Sequence, residues 1–369
     1  MVIQSPDSAH MRTALALGRQ ALGTTWPNPA VGCVLVAAGG HVAAHGVTGA
    51  GGRPHAETQA LAQAGNRMPG GTAYVTLEPC AHRGATPSCA EKLAEAGIAR
   101  VVVGTRDPDP RTDGAGAALL AGAGVTVTYG PHEDDARRLH AGHVCRVRLG
   151  RPQVTLKLAA SLDGRIATST GASQWLTGPM ARQHAHLLRA RHDAILVGAG
   201  TALRDDPELT CRLPGLGDRS PVRVVMIGAK TPLPSGRLVS TLGSAPLWLL
   251  VTAERRPDTG ELQAAGAEVL ELAADSCGRP SLGPALAALG ARGLTSVIVE
   301  GGQAIATALL RNRLVDALVW YGTDAIVGSD GLAAIGALGR TALPETTNFR
   351  TVRARRIGPD HVRFLERAR

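Results

Sequence analysis

Two short stretches hold side chains whose types and spacing could do chemistry together. PHAET (54–58) contributes His55 and Glu57, and LEPCAHRGATPSC (77–89) contributes Cys80 and Cys89 with eight residues between them. Two such cysteines could form a disulfide, a redox pair or part of a metal site. The six cysteines, at 33, 80, 89, 145, 211 and 277, are sparse and irregular for a chain of 369 residues. In a reducing compartment, neighbouring cysteines more often bind metal or react than cross-link. A catalytic zinc takes three protein ligands, keeps one position for water and brings that water's pKa toward about 7. His55, Cys80 and Cys89 would supply such a set for Zn2+. Glu57, a carboxylate outside the set, could shuttle a proton from that water to a leaving amine. His82 is the rival third ligand; Cys89 is preferred because it begins a helix, and helix N-termini lower thiol pKa values.

The elements that must position these groups follow from the apolar pattern. AVGCVLVAA (30–38), TAYVTLEPC (72–80), ARVVVGT (99–105) and VTVTYG (125–130) read as strands. Helices are predicted over 56–65 and 89–97, the latter closed by Gly97. His55 and Glu57 lie two residues apart, about 200° on a regular helix, yet from a first turn both could reach a cavity above the helix end. Cys80 is expected at the C-terminal edge of a strand, and Cys89 at the start of the next helix with Ser88 as its cap. An acidic-started helix (131–149) ends at GRP (150–152), which places a domain boundary there. Beyond it, QVTLKLAA (153–160), DAILVGAG (193–200), VRVVMIG (222–228), LWLLVT (247–252), SVIVEGG (296–302) and ALVWYG (317–322) again read as strands. The reading is therefore two different α/β domains, 1–149 and 150–369.

Composition narrows the function classes. Hydrophobic residues make up 44% and aromatics 2%, so Ala, Val and Leu must build the core, and a stacking platform for single-stranded nucleic acid is poorly supported. The net charge of +9 comes from 36 Arg and 3 Lys against 30 acidic residues, with RARR (353–356) the one dense basic run. Spread-out charge of this kind is ordinarily a solvated surface; the sharper reading is an anionic small substrate or nucleotide. No run of about 18 apolar residues occurs, and the first twenty residues read as an amphipathic helix rather than a signal peptide. A cytoplasmic protein with no membrane partner and no nucleic-acid partner is expected. In the second half, strand, paired glycines and helix in SVIVEGGQAIATALL (296–310) suit a phosphate at a helix N-terminus. GAGTAL (198–203) is no dinucleotide fingerprint, since Leu203 stands where the third glycine belongs.

One His and two Cys beside a Glu also serve zinc-dependent base deaminases, with two residues rather than eight between the cysteines. The longer gap makes the resemblance specific. TTWPNPAVGCVLV, PHAE and TLEPCAHRGATPSC resemble the N-terminal domain of the bifunctional riboflavin-biosynthesis deaminase–reductases. LKLAASLDGRIAT, SQWLTG, RARHDAILVGAGTALRDDPELTCR and VEGGQAIATALL resemble their C-terminal domain. The resemblance covers nearly the whole chain in the family's order. It implies a cytidine-deaminase-like fold followed by a dihydrofolate-reductase-like fold, zinc on His55, Cys80 and Cys89, Glu57 as proton shuttle, and NADPH as second cofactor. It implies a phosphorylated pyrimidine substrate that is first deaminated and then reduced from ribosyl to ribityl; a homo-oligomer is also expected. Asn28, otherwise a turn residue between two prolines, would contact the pyrimidine. Ala159, Trp175, Thr201, Asp205, Gly228, Gly302, Gln303, Ala304, Ile305, Ala306, Thr307 and Ala308 would line the NADPH site. Ser173, Arg189, Leu209, Arg212 and Glu300 would hold the substrate, the two arginines suiting a ribose phosphate. Lys157 either binds an anion or only flanks its strand.

Three places depart from the family pattern. Ala85 stands where a Lys or Arg usually precedes Thr-Pro, with Arg83 a possible substitute. Asp109 replaces Asn in DPDP (107–110), where an added carboxylate should repel a phosphate. His140 and His143 replace the family's Asn and Phe before the linker. The first two motivate the alternative of a specialised paralogue acting on a related pyrimidine or pterin-like compound. A nucleic-acid base deaminase using the positive charge is the alternative from another class.

Overall fold

Alternating side chains decide how the first half of the chain packs. The structure, a computed structural model, describes residues 5–83, 87–339, 341 and 348–368. The chain divides into two compact units, Met1–Arg151 and Pro152–Arg369. In the first, α1 (Pro6–Ala21) precedes β1 (Gly32–Val36) and β2 (Val42–Val47). Then α2 (Ala56–Gln63) leads to β3 (Thr72–Val75), α3 (Cys89–Glu95) to β4 (Arg100–Val103) and α4 (Ala115–Gly122) to β5 (Thr126–Tyr129), before α5 (Glu133–Leu139) and α6 (Ala141–Leu149). The sheet order is β2-β1-β3-β4-β5, antiparallel on both sides of β1 and parallel from β3 to β5. Successive strand residues face opposite ways. Cys33, Leu35, Val75 and Val101 therefore bury with Ala56, Ala60, Ala90 and Leu93 of α2 and α3, while Val34, Val36, Tyr74 and Val102 bury with Met11 and Leu15 of α1.

Close helix approach needs the absence of side chains at two strand positions. A Cβ on Gly32 would lie 2.0 Å from the Ala14 carbonyl oxygen of α1, and one on Gly46 2.1 Å from the Ala56 carbonyl oxygen of α2. The second contact seats the helix whose first residues include Glu57. His140 and His143 are buried and lock the end of the unit: one ring meets the Thr76 hydroxyl at 3.1 Å and the other the Asp107 carboxylate at 2.9 Å. Burial pushes His140 down to about 3, so that ring is neutral.

The second unit begins with β6 (Gln153–Ala160) and β7 (Arg165–Ala167). There follow α7 (Pro179–Arg189), β8 (Ala194–Gly198), α8 (Ala199–Asp205), β9 (Val222–Ile227), α9 (Arg237–Ser240), β10 (Leu247–Thr252), α10 (Gly260–Ala264) and β11 (Glu268–Leu272). Then α11 (Leu282–Ala291), β12 (Ser296–Val299), α12 (Gln303–Arg311), β13 (Ala317–Gly322), β14 (Leu332–Ala333), β15 (Phe349–Ile357) and β16 (Asp360–Arg367) complete it. Nine strands form one sheet in the order β11-β10-β9-β8-β12-β6-β13-β16-β15, parallel from β11 to β13 and antiparallel beyond. The chain steps outward from β8 to β11 and then returns to insert β12 between β8 and β6. Ligands in open parallel sheets bind beside such a reversal, at the carboxyl ends of the strands.

One charged side chain is built into this core. Arg223 on β9 has no exposed surface, and its guanidinium donates to the carbonyls of Glu208, Leu238, Thr241 and Ala245 and to the Thr241 hydroxyl. It thereby holds the segment 237–245 on the sheet. Arg223→Met would fill much of the same space and leave those acceptors without a donor. Each buried orphan costs about 1–3 kcal/mol, so the urea midpoint of the second unit is expected to fall by the equivalent of about 3 kcal/mol or more.

Candidate functional site

His55, Cys80 and Cys89 come together although they stand on three different segments. Their ligand atoms all lie within 4.8 Å of one another. His55 Nδ1 is 3.3 Å from Cys89 Sγ and 3.7 Å from Cys80 Sγ. An ion with tetrahedral geometry and ordinary Zn–N and Zn–S bonds spaces N and S by about 3.6 Å, so the donor set fits zinc in both type and spacing. His55 is the cap residue of α2. Cys89 is the first residue of α3, capped by Ser88 in a reciprocal box with Glu91. Cys80 lies five residues beyond the last ladder residue of β3, not at the strand edge expected of it. The segment is instead anchored from its flank. The buried Glu78 carboxylate accepts from the Gly114 and Ala117 amides at the start of α4, and Gly116 lets α4 approach the Pro79 carbonyl, which a Cβ would meet at 2.0 Å.

Electrostatics at the cluster suit thiolate ligation. The Cys89 amide donates to Cys80 Sγ at 3.3 Å. Cys80 is pushed down to about 4, first by the Cys89 thiol hydrogen bond and further by His55, while Cys89 is pushed up by the same bond and by burial. Glu57 is 4% exposed; burial and the Cys80 charge push it up to about 7. A cavity of about 310 Å³ opens over the cluster, lined also by Arg53, Thr58, His82 and Lys92. Asn28 is not among its lining residues; its side-chain amide donates to the Gly52 carbonyl at 3.2 Å. All six cysteines are free.

The second unit holds a larger cavity, about 1490 Å³, at the carboxyl ends of β6, β8, β9 and β12. This exceeds the roughly 300–1,000 Å³ of an ordinary small-ligand pocket, which leaves room for a dinucleotide and a second molecule. Lys157, Ala159, Ser173, Trp175, Arg189, Thr201, Asp205, Leu209, Arg212, Gly228, Glu300, Gly302, Gln303, Ala304, Ile305 and Ala308 all line it. Ala306 and Thr307 do not: both are buried, because 3.6 residues per turn carry them to the core face of α12. Thr307 is occupied there by the Gln303 carbonyl and the Gly336 amide. The first turn of α12 carries no acidic residue, and a Cβ on Gly302 would meet nothing nearer than Thr201 at 3.8 Å. Helix start and open glycine fit a cofactor phosphate.

At the wall of this cavity one carboxylate faces two cations. Arg189 grips Glu300 through Nε and Nη2 at 2.8 and 2.9 Å and also donates to the Thr210 carbonyl. Lys157 Nζ is 3.9 Å from Glu300 and 5.6 Å from the centre of the Tyr321 ring. Burial would raise Glu300, but Arg189 and Lys157 overcome it and hold the carboxyl at about 2; burial pushes Lys157 down. Arg189 is thus paired with Glu300 at the cavity wall, while Arg212 is half exposed and pairs loosely with Glu208 at 3.5 Å. Asp205 is the last residue of α8.

One departure from the family pattern, and the candidate substitute for another, have partners in the structure. Asp109 is gripped by Arg111 through Nε and Nη2 at 3.0 and 2.6 Å, so its charge is neutralised two residues away. Arg83 Nε donates to Glu91 at 2.7 Å, and Arg83 is not among the residues lining the metal cavity. Ala85 lies outside the described residues. Sequence reasoning missed Lys92, whose rarity among 36 arginines was the available signal. It also missed Tyr321, which an apolar strand concealed.

Comparison with known proteins agrees with this geometry. The family model of the RibD C-terminal domain matches residues 152–363, and that of the cytidine and deoxycytidylate deaminase zinc-binding region matches residues 4–105. The riboflavin biosynthesis protein RibD of Escherichia coli (strain K12) is 38% identical over 365 residues, covering 96% of this chain and 97% of its own. That of Aquifex aeolicus is 36% identical, covering 99% and 100%. A crystal structure of a diaminohydroxyphosphoribosylaminopyrimidine deaminase/5-amino-6-(5-phosphoribosylamino)uracil reductase from Thermotoga maritima superposes with a TM-score of 0.84 at 32% identity, over 98% of this chain and 99% of that one. Acinetobacter baumannii RibD, form 1, gives 0.86 at 32% identity over 99% of both chains. Among the described residues, no helix is long and apolar enough to cross a membrane.

The Glu300 cluster makes stability depend on acid. A carboxyl held at about 2 in the folded chain, against about 4.3 unfolded, lends stability that is full above roughly pH 4.5 and fades as pH falls toward 2. Wild type is therefore expected to exceed Glu300→Gln in stability at pH 5, with the margin shrinking at lower pH. Urea unfolding of the two proteins between pH 5 and 2.5 measures it; a constant margin contradicts the ion-pair account.

Proposed function

The chain belongs to the RibD family of riboflavin-biosynthesis proteins, and on that premise we propose which of its side chains carry the family's two reactions. The protein is a bifunctional deaminase and reductase, with zinc in its first unit and NADPH in its second. In our reading the first reaction hydrolyses the 2-amino group of 2,5-diamino-6-(5-phosphoribosylamino)pyrimidin-4-one. The second reduces the ribosyl side chain to ribityl. The observation that carries the reading is the meeting of His55, Cys80 and Cys89 at zinc spacing with the buried Glu57 beside them.

His55, Cys80 and Cys89 hold the metal. Bound zinc supplies a water nucleophile at neutral pH. Glu57, pushed up to about 7, takes a proton from the attacking water and gives it to the departing nitrogen, which leaves as ammonia. In the second unit NADPH supplies the hydride. The start of α12 with Gly302 receives cofactor phosphate. Glu300, fixed by Arg189, and Lys157 bind the ribosyl end of the substrate and orient its reacting carbon. A cytoplasmic location accords with six free cysteines, which a reducing compartment maintains.

The test offers the purified protein each substrate separately. Ammonia is followed from the diaminopyrimidine, and NADPH absorbance from the deaminated 5-amino-6-(5-phosphoribosylamino)uracil. Glu57→Ala is expected to abolish ammonia release, by 10³-fold or more on the order of a lost acid–base group, and to spare NADPH oxidation. Loss of both activities together would refute the two-site assignment. Cys89→Ser is expected to lower bound zinc, measured by elemental analysis, with the reductase again intact.

A further inference from the structure

We propose that Lys92 is the phosphate-recognising and specificity-determining cation of the deaminase site, in place of the Lys or Arg that the family pattern puts where this chain has Ala85. The inference rests on the phosphoribosylpyrimidine reading above. The nearest cation in the 80–89 segment is unavailable: Arg83 is committed to Glu91 and does not line the metal cavity. The cations that do line it are Arg53 and Lys92. Lys92 stands three positions after Cys89, which puts both on one face of α3, the face that presents Cys89 to the metal cluster.

Lys92 is partly buried and is aimed by a single hydrogen bond, from Nζ to the Thr58 hydroxyl of α2 at 3.3 Å. Among the described residues no carboxylate lies within ion-pair distance of it, whereas Arg100, Arg111 and Arg137 of the same unit each hold an acid. An ammonium has three donors; one is spent on Thr58 and two remain. A cavity of about 310 Å³ is at the lower limit for a small-molecule pocket. With a pyrimidine ring at the metal, the phosphoribosyl tail extends over the rest of the cavity, where Lys92 and Arg53 are the lining cations. Arg53 is exposed and follows a glycine turn, so the anchored ammonium of Lys92 is the better-organised partner for a dianion.

Deaminase kinetics on the phosphorylated substrate and on its dephosphorylated nucleoside test this, using the full chain. Lys92→Ala is expected to raise KM for the phosphorylated substrate about 10- to 100-fold, as for loss of a hydrogen bond to a charged group. The turnover number, zinc content and reductase rate should stay within about twofold. Lys92→Arg should recover most of the affinity, and on the nucleoside Lys92→Ala should match wild type. An unchanged KM, an equal rise on both compounds, or a penalty carried by Arg53→Ala alone would overturn the proposal. Failure of the wild type to release ammonia from either compound would instead overturn the functional reading and this proposal with it.

Discussion

Three donor atoms from three segments must meet within about 4.8 Å, and much of the first unit answers that demand. Two thiols and an imidazole held this close are strained by their own protons unless one is shared or lost. The structure answers this by pointing a helix amide at Cys80, whose thiol is pushed down to about 4 by its Cys89 and His55 neighbours. Everything that fixes the three backbones follows: the capped start of α3, the Glu78 carboxylate at the start of α4, and Gly46 and Gly116, which let helices lie against backbone where a Cβ would collide. The same enclosure that gathers the donors buries Glu57 and tunes it toward neutrality. Structure and chemistry here have one cause.

The second unit solves a different problem with the same economy. A buried carboxylate is tolerable only when paired and hydrogen-bonded. Glu300 meets this through a two-pronged contact to Arg189 and a nearby lysine, at the edge where β12 inserts into the sheet. Two cations against one anion leave a positive surplus beside a roomy cavity. Arg189 holds Glu300 in place and balances its charge.

Much of this was legible from residue types. The strand–helix alternation and the glycine pair before α12 follow from patterns within a few residues of one another. The misreadings share an origin too. Ala306 and Thr307 belong to a motif that is contiguous in sequence, but helix rotation turns two of its members to the core. Arg83 and Asp109 looked consequential as isolated charges. Each is neutralised by a partner, Glu91 or Arg111, that a sequence cannot reveal as bonded.

By itself the sequence determined the kinds of chemistry available: a His, two Cys and a Glu at spacings that suit a metal and a proton carrier, on elements whose apolar periodicity makes them strands and helices. Those are local properties, set by residue identity and by the next few neighbours along the chain. Only the tertiary structure decided which charges are free to act. Pairing, burial and the direction of a side chain depend on residues dozens of positions away, as Lys92 is aimed by Thr58 and Arg189 is held by Glu300. A Coulomb interaction or a desolvation cost depends on distance in space, and folding alone sets that distance.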